Sequence, residues 1–424
     1  MQKKISTEPY KGVRDFYPRD LAIREYIFKV WSQTVEQFGY ERYDASVFEP
    51  AELYRSKTSE EIVNEQTYTF IDRGDREVTL RPEMTPTVAR MVAGKKRDLV
   101  MPLRWYSIPN LFRYERPQRG RLREHWQLNC DLFGSDDTAS DVEMVCLADQ
   151  LLKNFGLTSD EFIIRINDRK EMTEFYASIG LTDPATINIL TRLIDRKNKL
   201  PLDDFKSELG NIVPEKAEAV LEIINAPDKE NEVTKALDRL GLKNVILDRS
   251  LARGFDYYTG MVFEIFSSNT ELKRALLGGG RYDNLTGLFS DEPVSGVGFG
   301  MGDVSLLDLL ESTGKLPQIK TGPKLMIIPT DSKLNLDALA LARAWHECGI
   351  ATAVDYRPKA LGKRLQDADK RRIPYVMVFG TDEVVKAEYT VKNLTSGESQ
   401  TGSFEILKNR LVEETEGRQD GLYL

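Results

Sequence analysis

The sequence predicts an α+β protein of several domains, and three observations carry the prediction. At 424 residues and 48.3 kDa the chain is long enough for about three domains. Strand signals between residues 40 and 133 return near 257 only after a charged, aromatic-poor, helix-favouring stretch at 184–240, as when a helical segment is inserted into a sheet. From 325 onward, continuous apolar runs alternate with helical periodicity, which predicts a small α/β domain of about 100 residues.

The elements follow in order. Ile23, Ile27, Phe28, Val30, Trp31 and Val35 keep helical spacing from Pro18 to a stop at Gly39. Tyr40–Pro50 reads as a short extended piece, and Tyr68–Asp72 as a strand turning at Arg73-Gly74-Asp75 into a second strand through Val78 and Leu80. Proline suits a first helical turn, so a helix is expected from Pro86 or Thr87. Trp105–Tyr114 and His125–Phe133 read as an antiparallel hairpin with a long charged loop, followed by a helix over Asp141–Phe155. Strands are expected at Tyr257–Phe266 and Val297–Gly300, with Gly278–Gly280 as a glycine-rich link. After a Gly/Pro linker at 311–323 come strands at Leu325–Pro329, Ile350–Val354, Tyr375–Gly380 and Tyr389–Leu394, with helices at Leu336–Gly349 and Gln366–Arg372.

Composition excludes several classes. The formal charge of −8 argues against a wholly basic nucleic-acid wrap, although local basic patches remain. Cys130, Cys146 and Cys348 are scattered and His125 and His346 are the only histidines, so no zinc-binding spacing exists. A polar N-terminus, the absence of an 18-residue apolar run and sparse cysteine together lead to the expectation of a soluble, cytoplasmic protein with no membrane partner.

The densest chemistry lies at 104–123, with Arg104, Arg113, Arg116, Arg119, Arg121 and Arg123 against Glu115 alone. Guanidinium groups at this density suit a polyanion, since arginine grips phosphate bidentately. A solvated loop is the plainer alternative, but Arg113 interrupts an apolar run where an unpaired charge would be costly. Arg253, Asp256, Tyr257 and Tyr258 lead into another strand as pocket candidates or as ordinary polar residues at a strand start. Glu264, between Phe263 and Ile265, must face a wet cleft or be paired. Gly296, Gly298, Gly300 and Gly302 recur every second residue, giving either a flat floor or a tight packing seam. Neither histidine fits a hydrolase triad. A second patch at 357–372 holds seven basic residues against two acidic ones, as either a solvated helix face or an RNA surface.

Four stretches in order, TLRPEMTPTVAR at 79–90, FRYERPQRGRLREHWQLNCDLFG at 112–134, RGFDYYTGMVFE at 253–264 and GGGRYDNL at 278–285, resemble the histidyl-tRNA synthetases, class II aminoacyl-tRNA synthetases. The resemblance implies a catalytic domain with an antiparallel sheet flanked by helices at 1–183 and 241–315, a helical insertion at 184–240, and a C-terminal α/β anticodon-binding domain at 323–424. It implies a homodimer with Pro50 of motif 1 at its interface, and the substrates L-histidine, ATP with Mg²⁺, and histidine tRNA. Arg113 matches the motif 2 arginine on the α-phosphate, with Glu115 and Arg121 near adenine and the γ-phosphate. Glu83 and Thr85 match residues that receive the α-amino group; Gln127, Asp131, Tyr257 and Tyr258 match the amino-acid pocket; Arg253 matches the arginine beside the reacting carboxylate. Arg116, Arg119 and Arg123, with Lys363, Arg364 and Arg371, are the expected tRNA contacts. Two departures stand out. Asp131 occupies a position where glutamate is common, and Ser305 falls where motif 3 usually has arginine, so that Arg121 or another cation would have to supply the charge. The runner-up resemblance, to the regulatory subunit of ATP phosphoribosyltransferase, fits less well, because Arg113, Arg253, the Asp-Tyr-Tyr run and a C-terminal domain are all kept.

Overall fold

The computed structural model describes residues 5–55, 66–197, 200–226, 230–251, 257–269, 271–272 and 274–416. The chain divides into two compact units, Met1–Asp15 with Ile27–Leu316, and Phe16–Tyr26 with Pro317–Leu424.

Helix α1, Pro18–Gln37, starts on a proline, whose missing N–H costs nothing at that position. Ile27, Trp31 and Val35 bury one face at four-residue spacing, and Gly39 takes a positive φ of 79° just beyond the helix. Then follow β1 (Glu41–Arg42), β2 (Phe48–Pro50), α2 (Glu52–Arg55), β3 (Tyr68–Ile71), β4 (Glu77–Leu80) and α3 (Thr85–Lys95). The order β2-β4-β3 makes a small antiparallel sheet.

The main sheet is built from β5 (Leu103–Ser107), β6 (Asn110–Phe112), β7 (Glu124–Phe133), β8 (Phe162–Asp168), β9 (Val245–Leu247), β10 (Met261–Ser267), β11 (Ala275–Arg281) and β12 (Gly296–Gly302). Its order is β1-β5-β7-β12-β11-β10-β8-β9, with β6 beside β7. The interior is antiparallel, and only the outer pairs β1–β5 and β8–β9 are parallel. The strand expected over Trp105–Tyr114 is split at Ile108-Pro109, where proline can donate no ladder bond, yet both halves pair with β7 and the hairpin stands. A larger difference concerns Gly278–Gly280: the expected link is β11, a central strand. Glycine suppresses the apolar pattern by which strands are recognised, but here the backbones need the room. A Cβ on Gly279 would meet the Gly298 carbonyl oxygen at 2.1 Å.

Helix α4 (Thr138–Asn154), capped by Asp137, packs on β11 and β12. A helical group comprises α5 (Arg169–Ser178), α6 (Pro184–Asp195), α7 (Leu202–Ile212) and α8 (Ala217–Ile224). Its own core joins Leu190, Phe205, Leu209 and Val220 to Met172 and Tyr176 of α5, so it reaches back before residue 184. Helix α9 (Glu232–Arg239) packs against α4 and β9, and α10 (Asp303–Ser312) follows β12 directly.

The second unit holds β13 (Leu325–Pro329), α11 (Asn335–Glu347), β14 (Thr352–Val354), α12 (Leu361–Lys370), β15 (Tyr375–Phe379), α13 (Thr381–Lys386), β16 (Tyr389–Asn393), β17 (Ser399–Gly402) and α14 (Phe404–Glu416). Its sheet order is β14-β13-β15-β16-β17, parallel through β15 and antiparallel beyond. Leu325 and Ile327 bury into one core cluster and Met326 and Ile328 into another, which is why β13 reads as an unbroken apolar run.

Candidate functional site

Motif-bearing residues converge on one face of the main sheet. Asp131 lies opposite Gly298 and Gln127 opposite Gly302; Gly298 in turn lies opposite Gly280. The glycines form a floor beneath these side chains. A Cβ on Gly298 would meet Asp131 Oδ1 at 2.6 Å and the Tyr282 hydroxyl at 2.7 Å; one on Gly300 would meet Gln127 Nε2 at 1.8 Å; one on Gly280 would meet the Tyr258 ring at 2.9 Å. The alternation therefore keeps the floor flat where larger side chains need the space. Gly298→Ala should lower histidine affinity more than ATP affinity, and lower stability by about 1–3 kcal/mol through overpacking. Isothermal titration and thermal melting read the two effects separately.

Around this floor, Asp131 is buried and accepts a short hydrogen bond from Tyr282. Burial pushes its carboxyl up to about 7, with the hydrogen bond from Tyr282 and then the nearby Tyr43 hydroxyl opposing. The geometry gives Asp131 Oδ2 no hydrogen-bond partner among the described residues. Tyr282 stacks edge-on against Tyr257 at 5.9 Å, and Tyr257 lies 4.8 Å from Tyr258. The Tyr257 hydroxyl donates to Glu83 Oε2 at 3.2 Å, while the Tyr54 hydroxyl bonds the Glu83 carbonyl at 3.3 Å and Thr87 Oγ1 at 3.0 Å. Glu83 is 4% exposed, and Thr85 is half-buried at the first position of α3. The pocket thus has a carboxylate at each end with aromatic rings between. Tyr282, Tyr54 and Tyr43 were not singled out from the sequence. Tyr282 stands inside the GGGRYDNL motif, and its role needs the β11–β12–β7 register, which no local pattern shows.

The arginine hairpin is more internally committed than its composition implies. Arg113, just past β6, bonds the Arg123 carbonyl through its backbone N–H at 2.8 Å and the Pro82 carbonyl through Nε at 2.8 Å, next to Glu83. Arg121 is ion-paired with buried Glu115. Arg104 is bidentate with Glu143 at 2.7 and 2.8 Å, and Arg119 pairs with Asp308 of α10 at 2.8 Å. Arg123 lies 3.9 Å from the Tyr114 ring centroid, where it braces the loop. Arg116 is exposed. Burial, then the charges of Arg113, Arg14 and Arg121, depress His125 to about 3, so it is neutral while these cations share its surroundings. Arg121, expected to supply the charge in place of the missing motif 3 arginine, has its guanidinium engaged by Glu115. At the start of α10, Asp303 accepts from the Trp126 backbone at 2.9 Å and from Arg14 at 2.7 Å. Ser305 Oγ lies 3.5 Å from the Gly302 carbonyl. Arg14 was not foreseen, because nothing in the segment around it marks it.

Arg253 and Asp256 lie outside the described residues. Glu264 faces Arg165 across β8 and Gly278 across β11. Among the described residues no three histidine, cysteine, aspartate or glutamate side chains gather as a metal site.

In the second unit, the basic run sorts into inward and outward residues. Arg364 is 7% exposed and bonds the carbonyls of Pro329 and Asp355, with the Pro329 bond at 2.7 Å. It packs the loop after β14 and is removed from the expected RNA surface. Arg357 is held by Asp355 and Asp367 at 2.6 Å each. Lys363, Arg371 and Tyr356 are exposed.

Comparison with known proteins adds the following. A histidyl-tRNA synthetase family model matches residues 12–304, and an anticodon-binding domain model matches residues 324–414. A histidine–tRNA ligase of Leptospira biflexa is 40% identical over 432 residues, covering 97% of this chain and 99% of its own. One from Thermoplasma volcanium is 36% identical over 418 residues, covering 93% and 96%. The crystal structure of a histidyl-tRNA synthetase from Nostoc sp. PCC 7120 superposes with a TM-score of 0.78 over 97% of this chain and 100% of that one, at 22% identity, a likeness of fold.

Proposed function

Because the chain belongs to the histidyl-tRNA synthetase family and is an enzyme of that family, we propose that it joins L-histidine to ATP as histidyl-adenylate, releasing diphosphate, and then transfers histidine to the 3′-terminal ribose of its tRNA. The observation that carries the amino-acid assignment is buried Asp131, with one oxygen held by Tyr282 and the other without a partner among the described residues, above a glycine floor. A ring N–H is the donor such an oxygen needs, and a substrate without one leaves a buried acceptor unsatisfied. Glu83, set by Tyr257, and Thr85 receive the α-amino group at the other end. Gln127 and Tyr258 close the sides.

No general base is required, since the histidine carboxylate is ionised at neutral pH. The chain's work is to hold that carboxylate beside the α-phosphorus and to offset negative charge as it builds. Arg113, fixed by the Pro82 carbonyl next to Glu83, is one residue that does this, and Arg253 is assigned as the second. Mg²⁺, when bound to ATP, neutralises its phosphates. Glu115 is assigned to adenine, and Arg121, once exchanged from Glu115, to the outer phosphates. Arg116 extends the charged loop toward tRNA, together with Arg119 and Arg123.

The same reading assigns catalysis to 1–183 with 241–315, a helical insertion to 184–240, and anticodon binding to 323–424. It makes the protein cytoplasmic and homodimeric. The dimer surface is the small sheet, where Phe48, 55% exposed, stacks edge-on with Phe70, 45% exposed, beside Ile71 and Pro50. No helix among the described residues is long and apolar enough to cross a membrane.

Amino-acid-dependent pyrophosphate exchange, run with each of the twenty amino acids and no tRNA, tests the assignment. Exchange with histidine alone is expected; exchange with another amino acid, or with none, removes it. The tRNA surface is tested separately. Lys363→Glu with Arg371→Glu should raise the KM for tRNA by at least about tenfold at physiological salt, with exchange unchanged.

A further inference from the structure

Asn167, Asp168 and Arg169 end β8 and begin α5, and each side chain has a separate task. Asn167, 5% exposed, donates from Nδ2 to the Leu251 carbonyl at 2.8 Å and the Arg249 carbonyl at 3.3 Å. Asp168 caps α5 by accepting from the Lys170 backbone at 2.7 Å. Arg169 donates from Nη1 to the Tyr258 carbonyl at 3.0 Å, its guanidinium carbon lies 5.8 Å from the Tyr258 ring centroid, and its backbone N–H bonds the Gly260 carbonyl at 3.1 Å. Residues 252–256, which include Arg253, fall between these anchors in the chain. One tripeptide therefore holds the chain just before and just after that segment. The helix it opens contributes Met172 and Tyr176 to the core of the helical group.

We propose that Asn167 and Arg169 are positioning residues: they fix the two ends of the segment bearing Arg253 and the pocket tyrosines, and through α5 they tie the histidine pocket to the helical group. The proposal rests on the reading above that Tyr257 and Tyr258 line the histidine site. The Asn167 Nδ2 and Arg169 Nη1 bonds go to backbone carbonyls, so they set where the chain runs rather than what it carries. The cation–π contact orients the Tyr258 ring in addition. A packing role alone would lower stability without singling out histidine, whereas positioning acts on histidine and leaves ATP binding in place.

The test compares Arg169→Ala, Arg169→Lys and Asn167→Ala with Met172→Ala, a core change on the same helix. In pyrophosphate exchange Arg169→Ala should raise the histidine KM by at least about tenfold while the ATP KM stays within about twofold. Lysine, which keeps a donor on a long stem, should recover part of the loss. In native-state trypsin digestion read by mass, Arg169→Ala and Asn167→Ala should both be cut after Arg253 faster than the parent chain, and Met172→Ala should not. Unchanged histidine KM and unchanged cleavage in folded Arg169→Ala and Asn167→Ala would overturn the proposal. So would Met172→Ala reproducing both shifts. If the parent chain exchanges no histidine, the proposed function fails, and the cleavage comparison still decides whether the tripeptide anchors the segment.

Discussion

Arg113→Ala is expected to lower histidine-dependent pyrophosphate exchange by about 10³-fold, with the thermal midpoint little changed. The size follows from placement. Arg113 is half-buried beside Glu83, and its Nε bond to the Pro82 carbonyl at 2.8 Å orients the guanidinium plane. A donor fixed before the reaction costs no reorganisation when charge builds on the phosphorus, which makes it worth more than a mobile surface cation. The same bond makes lysine a poor replacement. Arg113→Lys keeps the charge but loses Nε and the planar fork, so a loss of about 10²-fold is expected. Stability should change little, by about 1–2 kcal/mol, because Arg113 is half-buried and the change removes its side-chain bond to the carbonyl of buried Pro82. The effect should fall mainly on kcat, as befits an interaction strongest in the transition state; a rise confined to the ATP KM would make Arg113 a ground-state binding residue. A folded Arg113→Ala protein with exchange within tenfold of the parent would refute the role.

Glu83, Asp131 and the alternating glycines are legible in the sequence, but what they do together is not. Glu83 stands in an apolar neighbourhood, and its partner Tyr257 is 174 positions away. Asp131 is placed in the amino-acid pocket by the family resemblance alone, and its partner Tyr282 is brought to it only by the pairing of β11 with β12 and β12 with β7. Such pairings depend on long-range register, which a period-two pattern leaves open. The reading of Gly278–Gly280 as a link fails for a related reason: glycine has no side chain with which to announce a strand. Charge density misleads differently. Arg104 and Arg119 are arginines in a basic stretch, but Glu143 and Asp308, distant in sequence, engage them. Arg364 sits four residues before buried Ala368 on the inner face of α12, where helical periodicity outweighs the run of positive charge around it. The α/β unit is the most legible part, because continuous apolar strands and amphipathic helices are local signals.

Asp131→Asn is expected to cut kcat/KM for histidine by about 10²-fold, chiefly through KM, since it replaces a carboxylate acceptor by a neutral amide at a buried position. It should also change stability, and the sign follows from the buried carboxyl. Asp131 titrates near 7 in the folded protein, against 3.8 for the exposed group. Between these values the folded state keeps a proton that the unfolded chain has released. Stability therefore falls as pH rises from about 4 to 7, by at most about 4 kcal/mol, and this loss is fully present above 7. Asparagine has nothing to ionise. The difference in unfolding free energy, variant minus parent, should climb through that window and level off above it, whatever fixed cost the amide carries. Asp141, which burial raises to about 6 despite Arg281, contributes a similar decline to both proteins and cancels in the difference. Urea unfolding at a series of pH values measures it. Histidine added at pH 8 should raise the parent's thermal midpoint and leave the variant's almost where it was. The pocket would then be a site that holds an unfavourable charge until substrate arrives, so that part of the binding free energy of histidine comes from relieving it. A flat pH difference between the two proteins, or equal thermal shifts with histidine, would show that the Asp131 carboxylate is already satisfied without substrate.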